Sequence, residues 1–420
     1  MKLQQFKACF QHLNKKKQFA LLDIDIKNFE AMQLQFTRLE IQHIQAQIEA
    51  VLKPLLMRDD AYTFLNEHHI QLLLHRNDKN QLQKLIGQID DAIYFMNHPH
   101  LHQQLFLGIG VYLLQENDDY WISSNHASLA RMHSLDKNKL NTHIEYYEPV
   151  LRTKLIRRHN IESSMRKALA HQEYTMVLQP KIDLATMQVY GAEALLRWEK
   201  QASYSISTFE LISIAEENGF ICELDIYMFH QVLQYQQACI LHNHSLLCIS
   251  VNVSRCHFEQ ATFFDEYLTI FQSYHLPPSC IEFEITESAL THYPKRMHDV
   301  VQQMRNVGFS TSLDDFGCGV SSLSALKDIP VHTIKLDRSF FINESKRSRT
   351  IVTSILDMAK QLHITTLAEG IETQEQLSFL KAHGCEKIQG YVFSPPLSKS
   401  AFHTYINKKN NQKQLFKYDE

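Results

Sequence analysis

The sequence predicts an α/β protein in which a smaller α/β domain precedes a C-terminal (β/α)8 TIM-like barrel. The length of 420 residues suits two ordinary domains. Apolar runs of strand length alternate with helical patterns along the chain, which is the element order of α/β architectures. From about residue 162 onward there are eight such runs in roughly 245 residues, which matches the strand number and size of a (β/α)8 barrel.

The N-terminal domain is predicted over residues 1–148. Contiguous apolar residues bounded by polar or glycine positions indicate its strands, and apolar residues spaced by three and four indicate its helices. The expected strands are 19–25, 70–74 and 105–114, and the expected helices are 36–56 and 84–96.

A charged helical linker is predicted at 149–161, within one helix that runs over 151–170. It contains no spacer rich in proline, glycine and serine, so we expect stiff coupling of the domains. The barrel domain is assigned to residues 162–408, and residues 409–420 form a polar tail.

In the barrel region, each apolar run ends in a polar residue before the next helical stretch. Active sites of (β/α)8 barrels are built at the carboxyl ends of the strands, so these polar residues are expected to share one mouth. The runs are 175–179, 189–193, 247–251, 281–283, 309–313, 331–334, 365–368 and 387–388. The polar residues are Gln179, Glu193, Asn252, Glu284, Asp314, Lys335, Glu369 and Gln389.

Composition excludes several classes of protein. A net charge of −4 and a pI near 6.7 give no basic footprint for nucleic acid or an anionic membrane surface. No run approaches eighteen apolar residues, so no membrane span is expected. The eight cysteines form no C-x-x-C pair, which favours reduced thiols in a cytoplasmic protein.

Three histidine clusters are interpreted as solvated surface groups, because no carboxylate or cysteine accompanies them at ligand spacing. The alternating trio could instead place three rings on one strand face. The clusters are His68-His69, His98/His100/His102 and His242/His244.

The adjacent carboxylates Asp314 and Asp315 precede glycines at 317 and 319. At a strand end that enters a glycine loop, both side chains can converge on a cation. Two hard oxygen donors favour Mg²⁺ or Mn²⁺ over zinc. The alternative is an Asp-rich turn with solvated side chains. A kinase D-F-G segment is excluded, because no glycine-rich nucleotide loop or H-R-D segment precedes it.

The expected mouth holds four carboxylates and an amide, from Glu193, Glu284, Asp314, Asp315 and Asn252. Unpaired carboxylates at this density repel one another, and divalent cations compensate for that repulsion. Two metals that share a carboxylate are the arrangement used to cleave phosphodiesters, and Lys335 and Arg197 add positive charge for phosphate oxygens. Metal-assisted phosphodiester hydrolysis is therefore the leading reaction class.

The barrel region resembles the EAL family of cyclic di-GMP phosphodiesterases. The resemblance lies in spaced blocks that cover the whole C-terminal domain. They are Glu193-Ala194-Leu195-Leu196-Arg197-Trp198 after Gln179-Pro180-Lys181, Asn252-Val253-Ser254, Glu284-Ile285-Thr286-Glu287, Asp314-Asp315-Phe316-Gly317, Lys335-Leu336-Asp337, Glu369-Gly370-Ile371-Glu372 and Gln389-Gly390-Tyr391.

The resemblance implies a role for each matching residue. One metal would be held by Glu193, Asn252, Glu284 and Asp314, and a second by Asp314 and Asp315. Lys335 would orient or stabilise the attacking hydroxide, and Glu369 would support the attacking water as metal ligand or base. Substrate contacts would come from Gln179, Leu195, Arg197 and Gln389.

Glu287 would fix the loop after Asp315. Glu372 and Asp337 would support the site, and the alternative for these two is an ordinary salt bridge at the rim of the barrel. The family also implies a homodimer formed through the EAL domain.

Two loop positions depart from the family pattern D-D-F-G-T-G-Y-S-S-L. Cys318 replaces the threonine and Val320 the tyrosine. This loop links the metal site to the dimer interface in the family, so the departures bear on regulation and rate.

The N-terminal domain resembles the GGDEF, or diguanylate cyclase, family around Asp23, Asp25 and the hairpin at 66–70. That hairpin reads Asn-Glu-His-His-Ile, so both glycines are missing and His69 replaces a metal carboxylate. We expect a structural or regulatory remnant, not a cyclase.

Two functions remain open. The first is an active phosphodiesterase that converts cyclic di-GMP to linear pGpG. The second is a silent EAL domain that binds cyclic di-GMP or a partner protein without turnover. A silent domain is free to lose its metal carboxylates, and this chain has the full set.

Overall fold

The computed structural model describes residues 1–420 apart from 12, 14–17, 28, 30–35, 95–104, 137–140, 199–205, 261, 318–328, 343–344 and 417–420. Contacts divide the chain into two compact units, Met1–His159 and Asn160–Glu420. A helix, α5, covers Pro149–Ala170, in agreement with the single helix predicted at 151–170.

The N-terminal unit is a five-stranded sheet in the order β2-β3-β1-β4-β5. β1 is buried at all seven positions, including the two acids Asp23 and Asp25. Neighbouring strands are antiparallel except for β4 and β5, which are parallel. The strands are β1 Ala20–Ile26, β2 Ala61–Phe64, β3 His69–Leu74, β4 Leu107–Leu113 and β5 His143–Tyr146. The helices are α1 Leu3–Gln11, α2 Arg38–Leu52, α3 Lys79–Tyr94 and α4 Tyr120–Asp136.

The three strands and two helices predicted for this unit are confirmed. The expected elements did not include the strands β2 and β5 or the helices α1 and α4. The four residues of β5 are all half-buried and carry a weak pattern.

The C-terminal unit contains a closed eight-stranded barrel in the order β10-β11-β12-β13-β6-β7-β8-β9. All eight predicted strands are present. They are β6 Tyr174–Asp183, β7 Gln188–Trp198, β8 Cys248–Val253, β9 Ile281–Thr286, β10 Ser310–Phe316, β11 Thr333–Leu336, β12 Thr365–Ala368 and β13 Lys387–Gln389.

One strand departs from the parallel (β/α)8 pattern: β6 is antiparallel to both β7 and β13. A parallel neighbour would need a crossover of a dozen or more residues, whereas only residues 184–187 separate β6 from β7. Met187 closes this turn at φ 57° and donates its N–H to Asp183. Gln179 therefore does not follow the carboxyl end of a parallel strand, but it pairs directly with Glu193 and reaches the same level of the barrel.

Helices follow most of the barrel strands and bury apolar faces against them. The helix α11, for example, places Val352, Leu356 and Ala359 in the core at a spacing of three to four residues. The helices are α6 Thr208–Glu217, α7 Ile221–Leu241, α8 Phe263–Gln272, α9 Glu287–His292, α10 Pro294–Val307, α11 Lys346–Gln361, α12 Gln374–Ala382 and α13 Lys399–Phe416.

Among the described residues, none of the helices combines the length and the apolar character that a membrane crossing requires.

Gly191 allows β7 and β8 to approach closely, since a Cβ built there would lie 2.3 Å from the carbonyl oxygen of Cys248. We expect Gly191→Ala to separate these strands and to destabilise the barrel by about 1–3 kcal/mol, the usual cost of an overpacked core position. Urea denaturation followed by circular dichroism measures this effect. Gly87→Ala in α3 is the control: no neighbour stands within 4 Å of its Cβ, so we expect stabilisation of up to about 1 kcal/mol. A Gly191→Ala barrel as stable as the parent would contradict the prediction.

Candidate active site

The adjacent carboxylates at the end of β10 face the same mouth because the strand is distorted there. The register of β10 against β11 shifts between Leu313 and Phe316, and Asp315 adopts φ 54°, a left-handed conformation uncommon for residues other than glycine. One carboxylate oxygen from each of Asp314, Asp315 and Glu369 lies within 4.8 Å of the others. These three groups could hold a metal ion.

Lys335 stands at the centre of the carboxylates. Its Nζ lies 2.6 Å from Glu284 Oε2, 2.9 Å from Asp314 Oδ1 and 2.6 Å from Glu369 Oε1. The side chain is 1% exposed, so solvent does not screen these interactions. Burial lowers the pKa of Lys335, but the surrounding carboxylates raise it well above the ordinary value. Lys335 is therefore a fixed positive charge.

A second buried lysine, Lys181 on β6, holds the far side of Glu284. Its Nζ lies 2.7 Å from Glu284 Oε1 and 2.9 Å from Glu282 Oε2. Lys181 lies two residues after Gln179 on β6, so the two side chains lie on the same face of the strand. Lys181 and Glu282 are not among the predicted site residues, although a charged residue within each apolar strand is a detectable sequence signal.

Glu193 joins three of the predicted polar residues. Asn252 Nδ2 donates to its Oε1 at 3.2 Å, and Gln389 Nε2 donates to its Oε2 at 2.5 Å. Gln389 Nε2 also donates to Gln179 Oε1 at 3.1 Å. The Oε1 atom of Gln389 is buried and has no hydrogen-bond partner among the described residues. An acceptor oxygen is thus left free beside the Glu193 carboxylate.

The electrostatics of the mouth favour a hard cation. Burial raises the pKa of Glu193, Asp314 and Asp315, and neighbouring carboxylates raise it further against the opposing effect of Lys335. For Glu284, burial also acts upward, but Lys181 and Lys335 together lower its pKa to about 2. Carboxylates outnumber the two lysines, and carboxylate and amide oxygens are what Mg²⁺ and Mn²⁺ prefer, so the residues present fit such ions.

The predicted supporting residues differ in their surroundings. Glu287 Oε2 accepts the N–H of Gly317 at 3.2 Å, at the start of the loop that it was predicted to fix. Asp337 Oδ1 caps a short 3₁₀ turn by accepting the N–H of Ser339 at 2.9 Å. Glu372 is exposed, and its backbone N–H donates to Gln376. Cys318 and Val320 lie outside the described residues.

A cavity of about 320 Å³ opens beside Asp314 and Asp315. Its walls are mostly apolar, and its polar groups include Glu216, Asp225 and Ser254. Its apolar lining includes Leu195, Ile212, Ile221, Leu224, Met228 and Val251.

Two of the predicted substrate contacts, Leu195 and Arg197, lie on β7 on the same face as Glu193, because side chains alternate along a strand. Leu195 lines the cavity. Arg197 is half-buried and donates from Nη1 to the carbonyl oxygen of Leu196 at 2.7 Å.

In the N-terminal unit, the acids of β1 are already paired. His69 Nε2 lies 2.6 Å from Asp23 Oδ1, and His68 Nδ1 lies 2.6 Å from Asp25 Oδ1. Arg131 bridges the other oxygens of both carboxylates. His68 and His69 are therefore partners of carboxylates, and the prediction that this cluster consists of solvated surface groups is wrong. The predicted trio His98, His100 and His102 lies outside the described residues.

The EAL domain family model matches residues 162–396, which is more than half of the chain and includes every strand from β6 to β13. The chain belongs to the EAL domain family.

Two curated relatives of this EAL protein come from Pseudomonas aeruginosa. The cyclic di-GMP phosphodiesterase NbdA is 34% identical over 248 residues, covering 59% of this chain and 32% of the relative. The cyclic di-GMP phosphodiesterase PA2567 is 30% identical over 265 residues, covering 62% of this chain and 45% of the relative. The chain thus spans less than half the length of either relative.

Among solved structures, the PaMucR phosphodiesterase in complex with c-di-GMP superposes with a TM-score of 0.55 at 28% identity. The match covers 58% of this chain and 99% of that one. The barrel of this EAL protein therefore has the fold of a structure that holds cyclic di-GMP.

Lys181, Glu282 and Glu284 form a buried charge cluster that is sensitive to the loss of its lysine. We expect Lys181→Met to destabilise the barrel by about 3–5 kcal/mol, because Glu282 would lose its contact with Lys181 and Glu284 would keep only Lys335. Chemical denaturation gives the free energy of unfolding. The exposed Lys295→Met on α10 is the control and should change stability by less than about 0.5 kcal/mol. Adding Glu282→Gln to Lys181→Met should recover part of the lost stability. If Lys181→Met were as stable as Lys295→Met, the account would be refuted.

Proposed function

We propose that this EAL protein hydrolyses cyclic di-GMP to linear pGpG with the help of two divalent cations, Mg²⁺ or Mn²⁺. The observation that carries the proposal is the convergence of Glu284, Asp314 and Glu369 on the buried Lys335, beside a cavity of about 320 Å³. A protein that only binds its ligand has no need of a mouth in which carboxylates outnumber the buried lysines.

The metal ligands are proposed residue by residue. Glu193, Asn252, Glu284 and Asp314 would hold one cation, and Asp314 and Asp315 the other, with Glu369 beside them. When bound, the two cations neutralise phosphate charge and make water a stronger nucleophile. The free Oε1 of Gln389 and the raised pKa values of the carboxylates support this assignment.

The protein's own groups would then position the reacting atoms. Lys335 keeps its proton and presents positive charge to the attacking oxygen and the phosphate. Burial raises the pKa of Glu369 well above the ordinary range, and Lys335 lowers it only in part. Glu369 can therefore hold a proton or accept one from the attacking water. Gln389 orients Glu193 and is itself held by Gln179, and Arg197 would contact a phosphate of the substrate.

The cavity suits the flat base of a guanine nucleotide. Apolar side chains such as Leu195 and Met228 provide its walls. Asp225 uses Oδ2 to accept from Ser254 N at 2.9 Å and from His257 at 3.1 Å. Its Oδ1 is engaged in neither bond. A free carboxylate oxygen complements the N–H donors on the Watson–Crick edge of guanine.

We propose that the N-terminal unit is a degenerate GGDEF-like domain with a regulatory or structural role. Arg131, His68 and His69 already contact oxygens of both Asp23 and Asp25, so a nucleotide-bound cation would have to displace them. We also propose that the EAL domain forms a homodimer, and sedimentation of the purified protein tests this.

The function is tested by incubating purified protein with cyclic di-GMP and following pGpG by chromatography. We expect pGpG with Mg²⁺ or Mn²⁺ and none with EDTA. Binding of cyclic di-GMP in the presence of metal, without turnover, would overturn hydrolysis and favour the alternative function of a receptor.

Replacing Glu193 should abolish hydrolysis without unfolding the barrel. We expect Glu193→Ala to lower kcat by about a thousandfold or more, because loss of a metal-ligand carboxylate removes several kcal/mol of transition-state stabilisation. The exposed Glu266→Ala on α8 is the control and should retain full activity. Full activity of Glu193→Ala, with an unchanged circular dichroism spectrum, would contradict the site assignment.

Replacing Asp225 should weaken substrate binding. In Asp225→Asn an amide donor can face the guanine donors, so we expect KM for cyclic di-GMP to rise about tenfold, within the 1–3 kcal/mol cost of an unsatisfied polar contact. Steady-state kinetics separate this change in KM from kcat. Asp299→Asn, at an exposed position on α10, is the matched control. An unchanged KM would place the base elsewhere.

A further inference from the structure

A cavity of about 400 Å³ lies within the N-terminal unit. It is found where β4 and β5 end, and its wall includes Tyr112 and Leu113 of β4 and Tyr146 of β5. Asp25 pairs with Gly108 at the other end of β4, so the cavity is separate from the acid and from the hairpin that pairs with it. The first residues of α3 and α5 and one residue of α4 complete the wall.

Aromatic rings form much of this wall. The ring of His126 stacks on that of Tyr147, with centroids 4.0 Å apart and planes at 17°. The ring of Tyr112 meets both of them edge to face, at 4.7 Å and 5.6 Å. Tyr112 is itself fixed, because its hydroxyl donates to Asp118 Oδ2 at 2.6 Å. The three rings therefore hold one another in place and give the cavity a preformed aromatic side.

Two polar atoms of the wall lack partners. The hydroxyl of Tyr146 and Nδ1 of His126 are buried and make no hydrogen bond to any described residue. Burial raises the pKa of Tyr146 and lowers the pKa of His126, so both groups are uncharged near neutral pH. A buried polar group without a partner is destabilising, and a ligand with hydrogen-bonding edges would relieve that penalty.

The charges at the cavity balance. Among the described residues that line it, Lys79 and Glu148 carry one charge of each sign, and both are exposed. The Nζ atom of Lys79 lies 5.1 Å from the centroid of the Tyr146 ring, a cation–π contact that already engages this charge. The lining therefore selects neither an anion nor a cation.

We propose that this cavity binds an uncharged planar nitrogen heterocycle of the size of a purine base. Its face would stack on the aromatic side, and its ring nitrogens or amino groups would bond to Tyr146 and His126. Pro149, the first residue of α5, also lines the cavity, and this helix continues to Ala170, shortly before β6. The occupant would thus act on hydrolysis through α5, a consequence that rests on the proposed function, whereas the binding itself does not.

The binding is tested with 2-aminopurine, an uncharged heterocycle whose fluorescence falls when it stacks on an aromatic ring. Full-length protein is titrated into the probe in the presence of EDTA. We expect saturable quenching, and competition by adenine and adenosine. Adenosine monophosphate should compete no better than adenosine, because the lining offers no net positive charge. Asp225→Asn, which alters the proposed base contact of the EAL domain, should leave the quenching unchanged.

Two variants assign the site. Tyr146→Phe should weaken binding of 2-aminopurine at least fivefold while leaving the unfolding temperature of the free protein unchanged or higher, because the lost hydroxyl had no partner. Tyr147→Leu removes one stacked ring and should weaken binding at least tenfold. Tyr94→Phe, at an exposed position of the same unit, is the matched control and should bind as the parent does.

Absence of saturable quenching would overturn the proposal, and so would parent affinity in both Tyr146→Phe and Tyr147→Leu. Adenosine monophosphate binding tenfold more tightly than adenosine would show an anion site instead. Addition of 2-aminopurine should change the rate of pGpG formation by the parent at least twofold and leave that of Tyr147→Leu unchanged. An unchanged parent rate would overturn the action through α5. A parent that forms no pGpG with or without the probe, yet quenches it, would contradict the proposed function and support the binding site.

Discussion

The active site depends on the buried chain of charges Lys181–Glu284–Lys335. Burying Glu284 alone would cost far more than a domain's net stability allows, so each of its oxygens faces a lysine, at 2.7 Å and 2.6 Å. This arrangement keeps Glu284 ionised and fixes Lys335 at the point where Asp314 and Glu369 also converge. The carboxylates of the mouth still outnumber the lysines, and this imbalance is what a divalent cation would correct.

Backbone geometry converts two adjacent residues into two neighbouring ligands. An undistorted strand would direct Asp314 and Asp315 to opposite faces. The register shift in β10 and the left-handed conformation of Asp315 remove that alternation, at a cost of about 1–3 kcal/mol for such strain. The strained residue lines the cavity of about 320 Å³, as Asp314 does.

Much of the fold and of the mouth could be predicted from sequence, because each barrel strand is a short apolar run that ends in a distinctive polar residue. The direction of β6 could not be predicted from its own residues, since it follows from the length of the turn at 184–187. The ion pairs of Lys181 could not be predicted either, because its partners Glu282 and Glu284 lie 101 and 103 positions further along the chain. The contact between Cys239 and His403 could not be predicted from local sequence patterns either, because the two residues are 164 positions apart in the chain.

The most direct test of the metal centre is anomalous diffraction from crystals of the full chain soaked with Mn²⁺. Data collected on both sides of the manganese absorption edge locate the ions without assumptions about activity. We expect anomalous peaks within coordination distance of Asp314 and Asp315, with Lys335 remaining in contact with Glu284. Crystals that bind no Mn²⁺ at these carboxylates, while the ion is seated elsewhere on the protein, would contradict the central claim that the mouth of the barrel is a metal site.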